Sequence, residues 1–247
     1  MAADPTKTDP RVLVVVPAFN ESGAIAGVLA DLAAHAPWAD VVVVDDGSAD
    51  DTAAAARSRG ARVLPLACNL GVGGAVQTGY MLALRGDYDV AVQFDGDGQH
   101  RADQIAGLLE RIGAGTDLVI GSRVRAGGYH FGLLRYVGSR ILAGIVSLIA
   151  GRRITDPTSG FRAAGRRAIR FFASHYPQTY LGDTAEALVW AARQRMRIEE
   201  VPAAMRPRSS GVSAAGSFRG LLHMLRITLA VLVDCLEPRV REEDLPA

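Results

Sequence analysis

Lysine is almost missing from this chain. Lys7 is the only one in 247 residues, so arginine supplies nearly all of the 27 basic side chains. That bias suits contact with phosphate, and it equally suits a genome-wide composition. Cysteine is scarce as well: Cys68 and Cys235 stand far apart with no CxxC spacing. This argues against a disulfide scaffold or a zinc knuckle and points to a reducing compartment. The first ten residues are polar and contain no apolar core of a signal sequence, so no secretory signal is expected. Long hydrophobic runs are lacking too. Leu221–Leu236 spans 16 residues and carries His223, Arg226 and Asp234, whereas a membrane span needs about 20 apolar residues. Ile141–Ala150 is shorter still. No internal repeat or low-complexity linker breaks the chain.

What remains is ordinary globular material: 49% hydrophobic and 21% charged residues, enough to bury a substantial core. The net charge of +1 conceals an asymmetry. Residues 1–120 hold 8 basic against 16 acidic side chains, and residues 121–247 hold 19 against 10. An acidic half suits a cation or hydroxyl-rich ligand, and a basic half suits anions.

The first 120 residues alternate strand and helix signals. Arg11–Pro17, Val41–Val44, Ala61–Leu66, Asp89–Phe94 and Asp117–Ile120 read as buried strands. Helices are expected from Asn20-Glu21-Ser22 through Leu32, over Asp51–Arg59, Gly74–Leu84 and Asp103–Gly113. This alternation predicts an α/β fold, a mostly parallel sheet flanked by helices with ligands beyond the strand C-termini. Further on, Gly132–Gly151 reads as a helix, Arg153–Gly165 as a polar loop, Thr184–Arg195 as a helix and Ile198–Met205 as a strand. Ser217–Leu236 reads as a final helix. Its apolar stripe is Phe218, Leu221, Leu222, Leu225, Leu229, Leu232 and Leu236, with Arg219, His223 and Arg226 on another face. Residues 1–210 are read as one domain and 211–247 as a loop and amphipathic helix of the same unit. That helix suits an anionic membrane interface or, alternatively, core packing or a homodimer contact.

Three acidic clusters fall where predicted strands end: Glu21, then Asp45 and Asp46, then Asp95 and Asp97. A parallel sheet lines those ends along one edge, and carboxylates gathered there repel one another and lose hydration. Asp95-Gly96-Asp97-Gly98-Gln99-His100 is the most informative stretch. Two carboxylates flanking a glycine can present oxygens to one hard divalent ion, Mg²⁺ or Mn²⁺, shared with phosphate. Gln99 can add a neutral oxygen, and His100 is read as a structural neighbour. Asn69–Gly74 is glycine-rich, but it does not follow the first strand as a dinucleotide loop must. A backbone approach to a nucleotide around Gly71 remains open there.

Six ordered motifs then make a family resemblance: VPAFNES (Val16–Ser22), DDGSADDT (Asp45–Thr52), NLGVGGAVQTGY (Asn69–Tyr80), DGDGQH (Asp95–His100), GSR (Gly121–Arg123) and DPTSGFR (Asp156–Arg162). Together they resemble family 2 glycosyltransferases of the GT-A fold, nearest to the dolichol-phosphate mannose synthase and polyprenyl-phosphate glycosyltransferase branch, over about residues 11–210. The resemblance implies inverting transfer of a sugar from a nucleotide diphosphate. It places Pro17, Ala18, Asn20, Glu21 and Asp46 at the nucleoside. It places Asp95, Gly96 and Asp97 at the diphosphate, and Asp95, Asp97 and Gln99 at the metal. Arg123, Arg206 and Arg208 match positions expected to meet phosphates.

For the acceptor, a sugar hydroxyl needs a general base, and Asp183 and Glu186 are the candidates. A lipid phosphate is already anionic and needs cations rather than a base. The leading expectation is a polyprenyl phosphate acceptor, with the protein cytoplasmic and peripheral at the inner membrane face. The alternatives are a saccharide or small-molecule hydroxyl acceptor, and a non-catalytic nucleotide-sugar-binding scaffold. No nucleic acid partner is expected.

Overall fold

Arg11 to Ala18 contains an unbroken β-branched run, and every residue of the first strand, β1 (Val12–Ala18), is buried. A strand apolar on both faces belongs in the middle of a sheet covered on both sides. The computed structural model describes residues 10–127, 133–177, 183–206, 227–229, 231 and 233, with backbone alone at 133–136 and 183. Within it follow β2 (Asp40–Asp45), β3 (Arg62–Pro65), β4 (Val90–Gln93), β5 (Leu118–Ser122), β6 (Arg162–Gly165) and β7 (Ile198–Pro202). They form one sheet in the order β3-β2-β1-β4-β6-β5-β7. All run parallel except β6, which lies antiparallel between β4 and β5.

The helices are α1 (Ile25–His35), α2 (Thr52–Ser58), α3 (Gly71–Arg85), α4 (Ile105–Gly113), α5 (Leu133–Ala150), α6 (Arg166–Ser174) and α7 (Asp183–Arg193). Alternation along β1 divides the core in two. Val12, Val14 and Val16 pack with Ile25 and Leu32 of α1, Ala56 of α2 and Ile105 and Leu108 of α4. Leu13 and Val15 join Val76 and Tyr80 of α3, Leu142 and Val146 of α5, Phe172 of α6 and Leu188 of α7 on the other face. The expected α/β architecture is therefore present, helices on both faces included.

Two elements differ from the sequence reading. The last four residues of the presumed polar loop, Arg162–Gly165, are a strand, and an unforeseen helix, α6, follows it. Arg-Ala-Ala-Gly carries no β-branched signal. It becomes a strand because β4 and β5 both offer it backbone partners, in a register that sets Arg162 opposite Gln93 and Ile120.

Of the final helix, Ile227–Leu229, Val231 and Val233 are described, and they are helical. Ile227 and Val231 are buried in the same core cluster as Leu142 and Val146, while Leu229 and Val233 are 63% and 51% exposed. The rest of the predicted stripe lies outside the described residues. Among the described residues, no helix is long and apolar enough to cross a membrane.

Candidate active site

From β1 the chain proceeds to β2 and β3 on one side, and β4 then returns to β1's other side. In such a sheet a crevice opens beyond the strand ends where the order reverses. A cavity of about 380 Å³ lies there. Pro17 and Ala18 line it from the end of β1, Phe19 and Glu21 from the loop after it, and Asp46 from the loop after β2. Gln93, Asp95, Gly96 and Asp97 come from the end of β4. Val72 and Ala75 of α3, then Thr158, Gly160 and Thr184, complete the wall.

The loops after β1 and β2 are stitched together by backbone donors. Asn20 N–H donates to Ser48 Oγ at 3.0 Å, and Ala49 N–H returns to Asn20 Oδ1 at 2.9 Å. Glu21 N–H donates to Thr52 Oγ1 and Ser22 N–H to Asp50 Oδ2. Asn20 therefore ties loops, and its positive φ of 56° is one an asparagine tolerates. Gly47 has φ 72°, and a Cβ there would stand 3.0 Å from the backbone of Cys68 and Asn69, so only glycine fits this turn. The turn aims Asp46 at the start of α3, where its carboxylate accepts from Leu70 N–H at 2.7 Å and Gly71 N–H at 2.9 Å. Burial pushes the Asp46 carboxyl above its usual range despite those two bonds.

His100 braces the acidic turn after β4. Its Nδ1 accepts from Asp95 N–H at 2.9 Å, which leaves the proton on Nε2, 3.5 Å from Asp95 Oδ2. The ring packs against Phe161 and edge-on to Phe94. Burial holds His100 below its usual range, only partly opposed by Asp95 and Asp97, so it is neutral. Gln99 N–H donates to Asp97 Oδ1, and the Gln99 carbonyl accepts from Arg206 N–H.

The wall at Thr158 and Gly160 rests on buried charge. Arg123 Nε and Nη2 donate to Asp156 at 2.7 Å each, and Nη2 also reaches Thr158 Oγ1 at 2.9 Å. Glu200 accepts from the backbone N–H groups of Thr155 and Asp156 and from the Thr155 hydroxyl. Arg162 is fully buried and donates to the carbonyls of Pro157 and Ser159.

The structure thus brings seven of the sequence-predicted residues to one cavity: Pro17, Ala18, Glu21, Asp46, Asp95, Gly96 and Asp97. Asn20, Gly71 and Gln99 are not among the residues that line it. Arg123 reaches it through Thr158. The Arg206 guanidinium is turned to Asp31 on α1, at 2.8 and 2.9 Å. Glu186 is 2% exposed and does not line the cavity. Asp183 begins α7, with its side chain outside the described residues, as is Arg208. Phe19, Val72, Gln93, Thr158, Gly160 and Thr184 line the cavity without having been singled out; Thr158 and Gly160 stand inside a quoted motif, and Gln93 is the last residue of its strand.

Four carboxylates, Glu21, Asp46, Asp95 and Asp97, face this cavity, and no cationic side chain among the described residues lines it. No group of three or more His, Cys, Asp or Glu able to enclose a metal occurs among the described residues. Asp95 and Asp97 therefore form a partial, hard oxygen donor set. It fits a Mg²⁺- or Mn²⁺-like ion that takes its remaining ligands from phosphate and water.

Comparison with known proteins fits this geometry. Residues 13–175 match the family described as Glycosyl transferase family 2. An undecaprenyl-phosphate mannosyltransferase of Micrococcus luteus is 34% identical over 214 residues, covering 82% of this chain and 86% of that one. A UDP-N-acetylglucosamine–dolichyl-phosphate N-acetylglucosaminyltransferase of Methanococcus voltae is 30% identical, covering 78% and 85%. Among solved structures, glucosyl-3-phosphoglycerate synthase of Mycobacterium tuberculosis, in complex with Mn²⁺, UDP and glucosyl-3-phosphoglycerate, superposes with a TM-score of 0.68. It is 22% identical, covers 96% of this chain and 88% of its own, and shares the fold. The chain belongs to glycosyltransferase family 2 and is a glycosyltransferase.

Proposed function

We propose that this enzyme transfers a glycosyl group from a nucleoside-diphosphate sugar to a polyprenyl phosphate, with inversion at the anomeric carbon, against a membrane surface. The observation that carries the acceptor is the outer face of α5. Val137, Ile141 and Leu148 are 47%, 56% and 85% exposed along it. Residues 133–153 contain four arginines and no acidic residue, and Arg140, Arg152 and Arg153 are exposed. Exposed apolar side chains among cations suit an anionic lipid surface. The lipid-phosphate names of the relatives above support the same acceptor.

The donor side follows from charge. A diphosphate does not enter a cavity lined by four carboxylates unless a cation accompanies it. Asp95 and Asp97 would hold that ion, with Gln99 as the third ligand implied by the family resemblance. A bound Mg²⁺ or Mn²⁺ neutralises the charge that develops on the departing nucleoside diphosphate. Glu21 accepts from ribose hydroxyls, and Asp46 fixes the start of α3 beside the nucleoside. In the transfer an oxygen of the acceptor phosphate bonds to the anomeric carbon. The bond from that carbon to the diphosphate oxygen breaks, and the electron pair leaves with the nucleoside diphosphate. An anionic nucleophile has no proton to lose. The withdrawal of Glu186 into the core accords with a reaction that needs no carboxylate base. Arg208, and Arg123 through Thr158, serve the phosphates.

The test is transfer by the purified protein with Mg²⁺ or Mn²⁺ and UDP-, GDP- or dTDP-sugars, with polyprenyl phosphate or a saccharide as acceptor. Metal-dependent product on polyprenyl phosphate is expected. Transfer to a saccharide alone, with Glu186→Gln or Asp183→Asn costing about 10²–10⁴-fold, overturns the lipid acceptor. Donor binding without hydrolysis or transfer points to a scaffold.

A further inference from the structure

Gly160 stands in the loop before β6, and its φ is not in the left-handed region, so backbone conformation does not call for glycine there. Space does. A Cβ built on Gly160 would lie 2.7 Å from Asp95 Oδ2, 3.1 Å from Asp95 Oδ1 and 3.0 Å from Gln93 Nε2. All three atoms are side-chain tips at the cavity wall. The missing methyl is the room that the Asp95 carboxylate occupies.

The two backbones cannot back away to make that room. Gly160 is flanked by tethers: Arg162 donates to Pro157 and Ser159 carbonyls, Ser159 Oγ donates to the Gly121 carbonyl at 2.7 Å, and Gly121 N–H to the Phe161 carbonyl at 2.8 Å. Asp95 is held through its N–H on His100, and Phe94 N–H is held on the Val15 carbonyl. Between these fixed chains Gln93 Nε2 donates to Asp95 Oδ1 at 3.2 Å. A carboxylate only accepts, so the amide must present its nitrogen to Asp95. Gln93 Oε1 is left buried without a hydrogen-bond partner. A buried acceptor without a partner is a cost, of the kind retained where orientation matters more than stability.

We propose that Gly160 and Gln93 are positioning residues that set the rotamer of Asp95 for divalent-cation binding: the glycine leaves the space and the amide holds the carboxylate in it. The inference rests on the reading of Asp95 as a metal-holding residue. It also links the loop Asp156–Gly160 mechanically to the donor's cation. Because the contact is with a side-chain tip, Gly160→Ala is relieved by turning Asp95 and not by unfolding. The variant should therefore fold and lose metal affinity.

The test is titration of Mn²⁺ into the full chain, alone and with UDP or GDP, followed by water-proton relaxation, with thermal unfolding in parallel. Wild type should bind, and Gly107→Ala, whose Cβ meets nothing within 4 Å, should match it. Gly160→Ala should bind at least ten-fold more weakly with a near-native unfolding temperature. Gln93→Ala adds no bulk and should weaken Mn²⁺ at least three-fold, which keeps the test open if Gly160→Ala does not fold. Wild-type affinity in Gly160→Ala, or in Gln93→Ala where the first variant is unfolded, overturns the positioning role alone. Absence of Mn²⁺ binding by wild type overturns the metal reading itself and this role with it.

Discussion

Arg123 and Asp156, thirty-three positions apart, meet as a two-pronged ion pair with both contacts at 2.7 Å. The carboxylate is wholly buried and the guanidinium nearly so. Arg123 also holds the Thr158 hydroxyl, so the pair shapes the cavity wall. Arg123→Ala strands a buried charge and should cost about 3–5 kcal/mol of stability. Arg123→Ala combined with Asp156→Ala should recover much of that loss. Chemical denaturation of the single and double variants measures it, and additive losses would show that the two residues are not coupled.

Asp97→Asn keeps the shape of the turn after β4 and removes one of two candidate metal charges. Turnover should fall by about 10²–10³-fold, the scale seen when one stabilising group is lost at a developing charge. Activity assayed across Mg²⁺ and Mn²⁺ concentrations measures this. Near-native turnover in a folded variant sinks the metal assignment.

Ile141→Glu with Leu148→Glu places two acids on the exposed face of α5. Burying two such side chains in lipid is worth about 3 kcal/mol or more, so affinity for anionic vesicles should drop about 100-fold. Both positions face solvent, and the unfolding temperature should stay put. Liposome co-sedimentation decides the matter, and unchanged binding removes α5 from the membrane contact.

Asp31 ties α1 to the chain after β7. Its burial works to raise its pKa, but the hydrogen bonds from Arg206 and Ala102 N–H win and hold the carboxyl below its usual range. The unfolded chain therefore takes up this proton first as pH falls. The contribution is complete above about pH 4, the unfolded carboxylate value, and is lost through the lower folded value. Arg206 is half exposed, which limits the pair to about 1 kcal/mol. Asp31→Asn should lower the unfolding temperature by about 2–4 °C at pH 7, with the gap to wild type closing below pH 4. A gap that persists at low pH would assign the loss to packing.

The β-branched runs of β1, β2 and β4 were legible because a doubly covered parallel strand must be apolar throughout. The acids at their ends were legible because nothing else explains charge there. β6 was not, since Arg-Ala-Ala-Gly takes strand form only from neighbours fixed by tertiary structure. Motif text placed Arg123 near phosphate, yet no spacing reveals that Asp156 already holds it. Gln93, Thr158 and Gly160 escaped for a related reason. Each reaches the cavity through a register between strands that are distant in sequence.

The antiparallel strand β6 also dictates an order of assembly on the ribosome. The strands up to Gln93 can pair as soon as they emerge, but β4 then presents a bare edge, and β5 has nothing to dock on until residues 162–165 appear. At about 5–20 residues per second that interval is roughly 4–14 s. Throughout it the nascent chain offers an open, apolar strand edge to any neighbour. The speed of synthesis between residues 93 and 165 therefore sets how long that edge waits for its partner.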